Sequence, residues 1–154
     1  MVQIVSYKNA HQNGINAMMQ EIALEFGEHI FSKPTKQTPI LPDTYWVAIH
    51  NKKVIGTVGV LVVNNNVGIL KKMMLKREFR GKEFGVSKLL LDTAIKWSQE
   101  ANISMLYLGT MQQFKAAQIF YERNGFEKTQ ENKLPSSFLK NPLDTVFYKL
   151  NLKD

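Results

Sequence analysis

Cysteine is absent from these 154 residues, which at once excludes disulfides, thiolate metal sites and a cysteine nucleophile. Histidine is scarce: His11, His29 and His50 lie far apart in the sequence and form no metal-ligand spacing, so no metal is expected. No apolar run reaches the ~18–20 residues that a membrane helix needs. Met1 to Tyr7 alternates apolar and polar residues instead of building a signal-peptide core. A cytoplasmic chain that does not enter a membrane is the resulting expectation. Acid is also in short supply, with 13 carboxylates against 20 lysines and arginines for a formal charge of +7, which favours an anionic partner without naming one. Repeats, linkers and low-complexity tracts are missing too. With 44% hydrophobic and 21% charged residues, the chain reads as one globular domain over 1–154.

The periodicities that are present alternate between strand and helix. Residues 2–7 alternate as a short first strand, and Ile15, Met18, Met19, Ile22 and Phe26 recur at helical spacing across Ala10 to Phe26, with Gly27 as a C-terminal stop. Pro34, Pro39 and Pro42 break Glu28 to Asp43 into an irregular loop. Thr44 to His50, Val54 to Val63 and Val67 to Leu75 follow as strands separated by "NKK" and "NNN", hairpin punctuation that makes them antiparallel neighbours. A helix over Phe84 to Ala101 carries Val86, Leu89, Leu90, Ala94, Trp97 and Ala101 on its expected core face. Then come a strand at Ile103 to Leu108, a helix at Gln112 to Asn124 stopped by Gly125, and strands at Phe126 to Thr129 and Thr145 to Leu152. The order describes an α+β, or mixed α/β, domain.

Two stretches carry chemistry. In "RGKEFG", Arg80 to Gly85, flexible backbone and two cations stand at the entrance of a helix that directly follows a strand. The first amides of a helix lack intrahelical acceptors and carry partial positive charge, and glycine lets an anion approach them. The stretch therefore reads either as a phosphate cradle or as a solvated turn whose glycines serve only left-handed angles. It is not a dinucleotide-binding fingerprint, because the spacing fails, nor a P-loop, because no Gly-Lys-Ser/Thr triplet closes it. The basic excess gathers here, in Lys71, Lys72, Lys76, Arg77, Arg80, Lys82 and Lys88. No platform of interleaved aromatics accompanies these residues, so nucleic acid is not the expected partner. The second stretch is "AAQIFYERNGF", Ala116 to Phe126, where Tyr121 is either a core aromatic with its hydroxyl at the rim or a catalytic phenol.

Taken together, the two stretches resemble the GCN5-related N-acetyltransferase (GNAT) superfamily. Its acetyl-CoA motif runs Gln/Arg-x-x-Gly-x-Gly/Ala at a strand-to-helix junction, and its last helix commonly ends in an Ala…Tyr…Gly-Phe pattern. Arg80 and Gly85 match the first and last motif positions, Gly81 and Lys82 match the usual wording, and Glu83 departs from it, standing where the middle glycine is expected. The resemblance implies a central, mostly antiparallel sheet of six to seven strands, splayed between the fourth and fifth, with helices on both faces. It implies acetyl-CoA as cosubstrate, its pantetheine arm held by backbone groups of Met73 and Leu75. The N–H of Met74 or a neighbour would polarise the thioester carbonyl. The amides of Arg80, Gly81, Lys82, Glu83, Phe84, Gly85 and Val86 would hold the pyrophosphate, with Lys76, Arg77 or Lys88 near the 3′-phosphate. Tyr121, beside the cofactor, is the implied acid. The implied reaction is direct attack by a primary amine of a small molecule or amino acid. The alternative is a noncatalytic acyl-CoA-binding or sensing module of the same fold. No base is legible: "VGILKKM" on the fourth strand holds no acid, and Glu25, Glu28, His29 and His50 have nothing to single them out. The Glu28 to Asp43 and Lys133 to Pro142 loops are the expected walls of the acceptor pocket, through Phe31, Ser136, Ser137 and Phe138. Many relatives dimerise, which makes a homodimer a candidate assembly.

Overall fold

β-branched runs interrupted by asparagine-rich turns produce the strands that organise the molecule. The computed structural model describes residues 1–27, 44–81, 85–138 and 142–153. β2 (Thr44–His50) and β3 (Lys53–Asn64) are joined through Asn51 and Lys52, both at positive φ (50° and 65°), the hand of turn whose twist matches that of the flanking strands. β3 continues through a second tight turn into β4 (Val67–Leu75). β1 (Val2–Ser6) borders β2, and β5 (Met105–Thr110), β6 (Glu127–Thr129) and β7 (Val146–Asn151) complete a seven-stranded sheet in the order β1-β2-β3-β4-β5-β7-β6.

Every neighbouring pair in this sheet is antiparallel except β4 and β5, which run parallel. Their pairing stops after Val67–Met105, Gly68–Leu106 and Ile69–Tyr107. Beyond it the strands part, each kept by its other neighbour: β4 by β3, and β5 by β7 from Met105–Asn151 to Thr110–Val146. The splay expected between strands four and five is therefore present.

α1 (Gln12–Phe26) covers one face of the sheet, packing Ile15, Met18 and Ile22 on Val47, Val54 and Met111. α2 (Val86–Glu100) and α3 (Lys115–Arg123) cover the other, where Leu90, Leu91 and Tyr121 join Ile55, Val58, Leu106, Leu108 and Tyr148. Helices lie on both faces, as expected. Among the described residues no helix is long and apolar enough to cross a membrane.

Local hydrogen bonding moves several boundaries. Ile103 and Ser104 were expected in the fifth strand, but the Ile103 amide closes the turn after α2 by donating to the Ser98 carbonyl (2.9 Å) and the Ser104 amide donates to Asn66 in the turn before β4 (2.8 Å), so β5 begins at Met105. α3 starts at Lys115 instead of Gln112, because the Gln118 amide donates to the Met111 and Gln112 carbonyls (3.1 Å each) and holds that stretch as a turn. On α2 the buried stripe runs Val86, Leu90, Leu91, Ala94, Ser98. Leu89, expected in the core, is 46% exposed, and Ala101 is exposed at the helix end. The expected loop Glu28 to Asp43 lies outside the described residues.

Candidate active site

The strand that opens the site is bent by an irregularity. Thr57 faces Met74 and Gly59 faces Lys71, so the single β3 residue between them opposes two on β4, a bulge with Lys72 at φ 57°. Thr57, fully buried, donates its hydroxyl to the Lys72 carbonyl at 2.6 Å and fixes the kink. Replacing Thr57 by valine keeps the shape and leaves that carbonyl without its donor. The expected cost is about 1–3 kcal/mol, read as a lower denaturation midpoint at an unchanged m-value. The bulge lies where β4 leaves β5. Beyond it Met73 packs toward the α2 face, Met74 toward the α1 face, and Leu75 is buried.

α2 begins directly after this strand and a short 3₁₀ turn at Arg77–Phe79. Gly85 is its N-cap at φ 62°, and no side chain caps the helix. Gly81 sits at φ 120°. Among the described residues a Cβ built at Gly81 or Gly85 meets nothing within 4 Å. Both glycines adopt left-handed angles, which side chains other than glycine's rarely take. Lys82, Glu83 and Phe84 lie outside the described residues.

The cations around the entrance are largely committed to the protein. Arg80 donates from Nε to the Leu75 carbonyl (2.9 Å) and from a terminal nitrogen to Glu25, and its guanidinium lies over the Phe26 ring. The Arg80 amide itself donates to the Arg77 carbonyl at 3.2 Å. Arg80 therefore ties the end of β4 to the end of α1, and it occupies Glu25. Lys76 reaches Glu21 at 3.5 Å, and Lys88 pairs with Asp92 one turn along α2 at 2.8 Å.

Tyr121 lies in the core on the α2 and α3 face of the sheet, 6% exposed, its ring against Phe126 and Tyr148 at 5.5 and 5.9 Å between centroids. Burial pushes its phenol well above the ordinary value, and the charge of Asp144 adds to the effect. The group stays protonated at neutral pH.

Asp144 has no counterpart in the expectations above. It precedes β7, where the Thr145 amide donates to the Thr110 carbonyl at 3.0 Å and holds this turn against the end of β5. A Cβ at Gly109 would stand 2.6 Å from Asp144 Oδ2, so the carboxylate lies on β5 where only glycine leaves room. Lys71, on β4, lies two residues past the last β4–β5 pair, as Gly109 does on β5. Phe138, an expected pocket residue, places its ring 5.7 Å from Lys71 Nζ and 6.0 Å from Phe147. Ser136 and Ser137 belong to the same segment, whereas Phe31, Glu28 and His29 lie outside the described residues. His50 is elsewhere, its ring on Phe79 at 5.2 Å. An aspartate before a strand reads as an ordinary turn residue, so nothing in the sequence marks Asp144. Among the described residues no cluster of His, Asp and Glu could hold a metal.

Residues 42–128, more than half of the chain, match the model of the acetyltransferase (GNAT) domain family. The chain belongs to the GNAT family. This GNAT domain is 30% identical over 112 residues to the probable N-acetyltransferase camello of Xenopus tropicalis, covering 71% of this chain and 50% of that protein. It is 31% identical over 93 residues to human N-acetyltransferase 8B, covering 57% and 40%. The chain thus spans about half the length, or less, of these relatives. Among solved structures, the GNAT-family acetyltransferase of Staphylococcus aureus Mu50 superposes with a TM-score of 0.85 at 31% identity, covering 99% of this chain and all of that one. The N-acetylglutamate synthase of Neisseria gonorrhoeae, solved with coenzyme A and L-arginine, shares the fold at 15% identity (TM-score 0.75; 99% of this chain, 34% of that one).

Proposed function

We propose that this GNAT domain transfers an acetyl group from acetyl-CoA to a primary amine of a small molecule or amino acid, by direct attack within a ternary complex. The observation that carries the reading is the parting of β4 from β5 after three residue pairs, with an uncapped helix entrance following one wall, and beside it stands a buried, protonated Tyr121 packed on Tyr148 of β7. The coenzyme A bound by the gonococcal synthase of the same fold supports the choice of cosubstrate.

In this reading the backbone of Met73 and the N–H of Leu75 receive the pantetheine arm along the edge of β4 that β5 does not use, the Leu75 carbonyl being held by Arg80. An N–H of the bulged segment, from Met74 or a neighbour, polarises the thioester carbonyl, as a fixed donor does at a developing oxyanion. The amides around Gly81, Gly85 and Val86 hold the pyrophosphate, with Lys82, Glu83 and Phe84 between them. Arg80 serves by holding this segment to β4 and α1. The acceptor nitrogen attacks the carbonyl carbon, the new C–N bond forms as the C–S bond breaks, and Tyr121 gives its proton to the departing thiolate. The amine's surplus proton leaves to solvent. Ser136 and Phe138 border the acceptor.

Native mass spectrometry of the freshly purified chain, followed by thiol release from acetyl-CoA across an amine panel, tests the proposal. A mass increment of coenzyme A together with amine-dependent thiol release is expected. Binding without turnover for every amine would identify a sensing module instead, and no binding at all would remove the assignment of the gap.

A further inference from the structure

Past Ile69 and Tyr107 the two strands no longer pair, and the next positions that would have faced one another on the same side of the sheet are Lys71 and Gly109. The sheet therefore sets a cation on one wall of the gap. On the other wall it sets a carboxylate, since Asp144 occupies the space a side chain at Gly109 would have taken. Phe138 covers Lys71, and its packing on Phe147 holds that cover in place. Asp144 also borders an open hollow of about 530 Å³ beside β6 and β7, lined further by Lys128, Thr129, Glu131, Thr145 and Phe147. That volume is in the range of small-molecule sites. Opposite charges thus stand on the two parted strands, and the hollow on the Asp144 side offers space for the body of a metabolite.

Resting on the acetyl-transfer reading, we infer that the acceptor is an α-amino acid with a free carboxylate, its ammonium received by Asp144 and its carboxylate by Lys71. Both residues already interact within the protein, so a zwitterion exchanges charge contacts for charge contacts. An amine without the carboxylate displaces the same contacts and leaves Lys71 facing the gap with no counter-charge, which is costly in a partly buried site. Burial holds the Lys71 amine below its ordinary pKa, while the Asp144 charge opposes that shift and Lys72 adds to it, so an arriving carboxylate favours the charged form.

The test compares the twenty amino acids with their methyl esters and with the corresponding decarboxylated amines, using the intact wild-type chain and reading thiol release. At least one amino acid should exceed its own ester and amine by about tenfold or more in kcat/KM. Lys71→Met should lower kcat/KM for that amino acid by about tenfold and raise it for the ester, whose penalty is the uncompensated Lys71 charge. Asp144→Asn should raise KM for acid and ester alike, with coenzyme A still retained in native mass spectrometry. Esters or simple amines that match the free acids in the wild-type chain overturn the inference, as does an Asp144→Asn chain that has lost coenzyme A. The ester comparison needs no variant to fold. Calorimetric titration of the wild-type chain with the same amino acids needs no turnover, and absence of any binding there overturns the inference too. Absence of coenzyme A binding instead strikes the acetyl-transfer reading, so the two failures are told apart.

Discussion

Replacing Tyr121 by phenylalanine is expected to lower kcat by roughly 10²–10³-fold while leaving coenzyme A affinity and the melting temperature nearly unchanged. That size is what a positioned proton donor contributes. The substitution isolates the hydroxyl, because the ring that packs on Phe126 and Tyr148 remains. The pH behaviour separates this role from a structural one. Burial and the Asp144 charge raise the phenol above its ordinary value, so Tyr121 carries its proton across the whole neutral and mildly alkaline range. The wild-type rate should therefore show no alkaline limb from Tyr121 below about pH 10, the unperturbed tyrosine value. The sign for stability is also fixed. A raised pKa contributes stability that is complete below the unfolded value and is lost as pH climbs through the folded one, so alkaline destabilisation begins only above about pH 10. A Tyr121→Phe chain with undiminished kcat would remove Tyr121 as the acid.

What could be read from the sequence, and what could not, divides along contact range. β2 and β4 match their expected bounds because local punctuation defines them: asparagines and lysines that tolerate a tight turn bracket runs of β-branched residues. Tyr121 was legible as a candidate through the Ala…Tyr…Gly-Phe pattern that resembles the last GNAT helix, whereas its helical spacing by itself made it a core aromatic. Arg80 was legible as part of the cradle, but the target of its guanidinium was not, since Glu25 sits on a helix far earlier in the chain. The start of β5 was misplaced because Ile103 looks like strand, while its amide serves the turn that ends α2. Asp144 was invisible for a stronger reason. Its place depends on β5 accepting a carboxylate at Gly109 and on β4 leaving β5 two residues earlier, and neither event leaves a trace near residue 144. The fourth strand lacks an acid in the sequence, and the fold brings a carboxylate to the same gap from the turn before β7.

Gly56→Val is expected to be the most damaging change to the frame of the site. Gly56 lies on β3 opposite Leu75, at the end of the strand that carries Met73 and Met74. A Cβ there would come within 2.9 Å of the Met74 carbonyl oxygen, 2.9 Å of a Leu75 methyl and 3.1 Å of a Leu90 methyl. The methyls belong to flexible side chains and could turn aside. The carbonyl belongs to the backbone of β4 and cannot yield unless the strand moves. Overpacking of this kind costs about 3 kcal/mol, at the upper end of the usual range. In a domain of this size that lowers the melting temperature by roughly 6–12 °C. Activity should fall further than the folded fraction accounts for, because the displaced segment is the one proposed to polarise the thioester. Thermal melts and kcat/KM measured well below the melting temperature separate the two effects. A Gly56→Ala chain presents the same first clash with fewer atoms behind it, and should show both losses in smaller measure. If Gly56→Val melted like the wild type and kept its rate, β4 would have freedom to shift, and the fixed donor at Met74 or a neighbour would lose its physical basis.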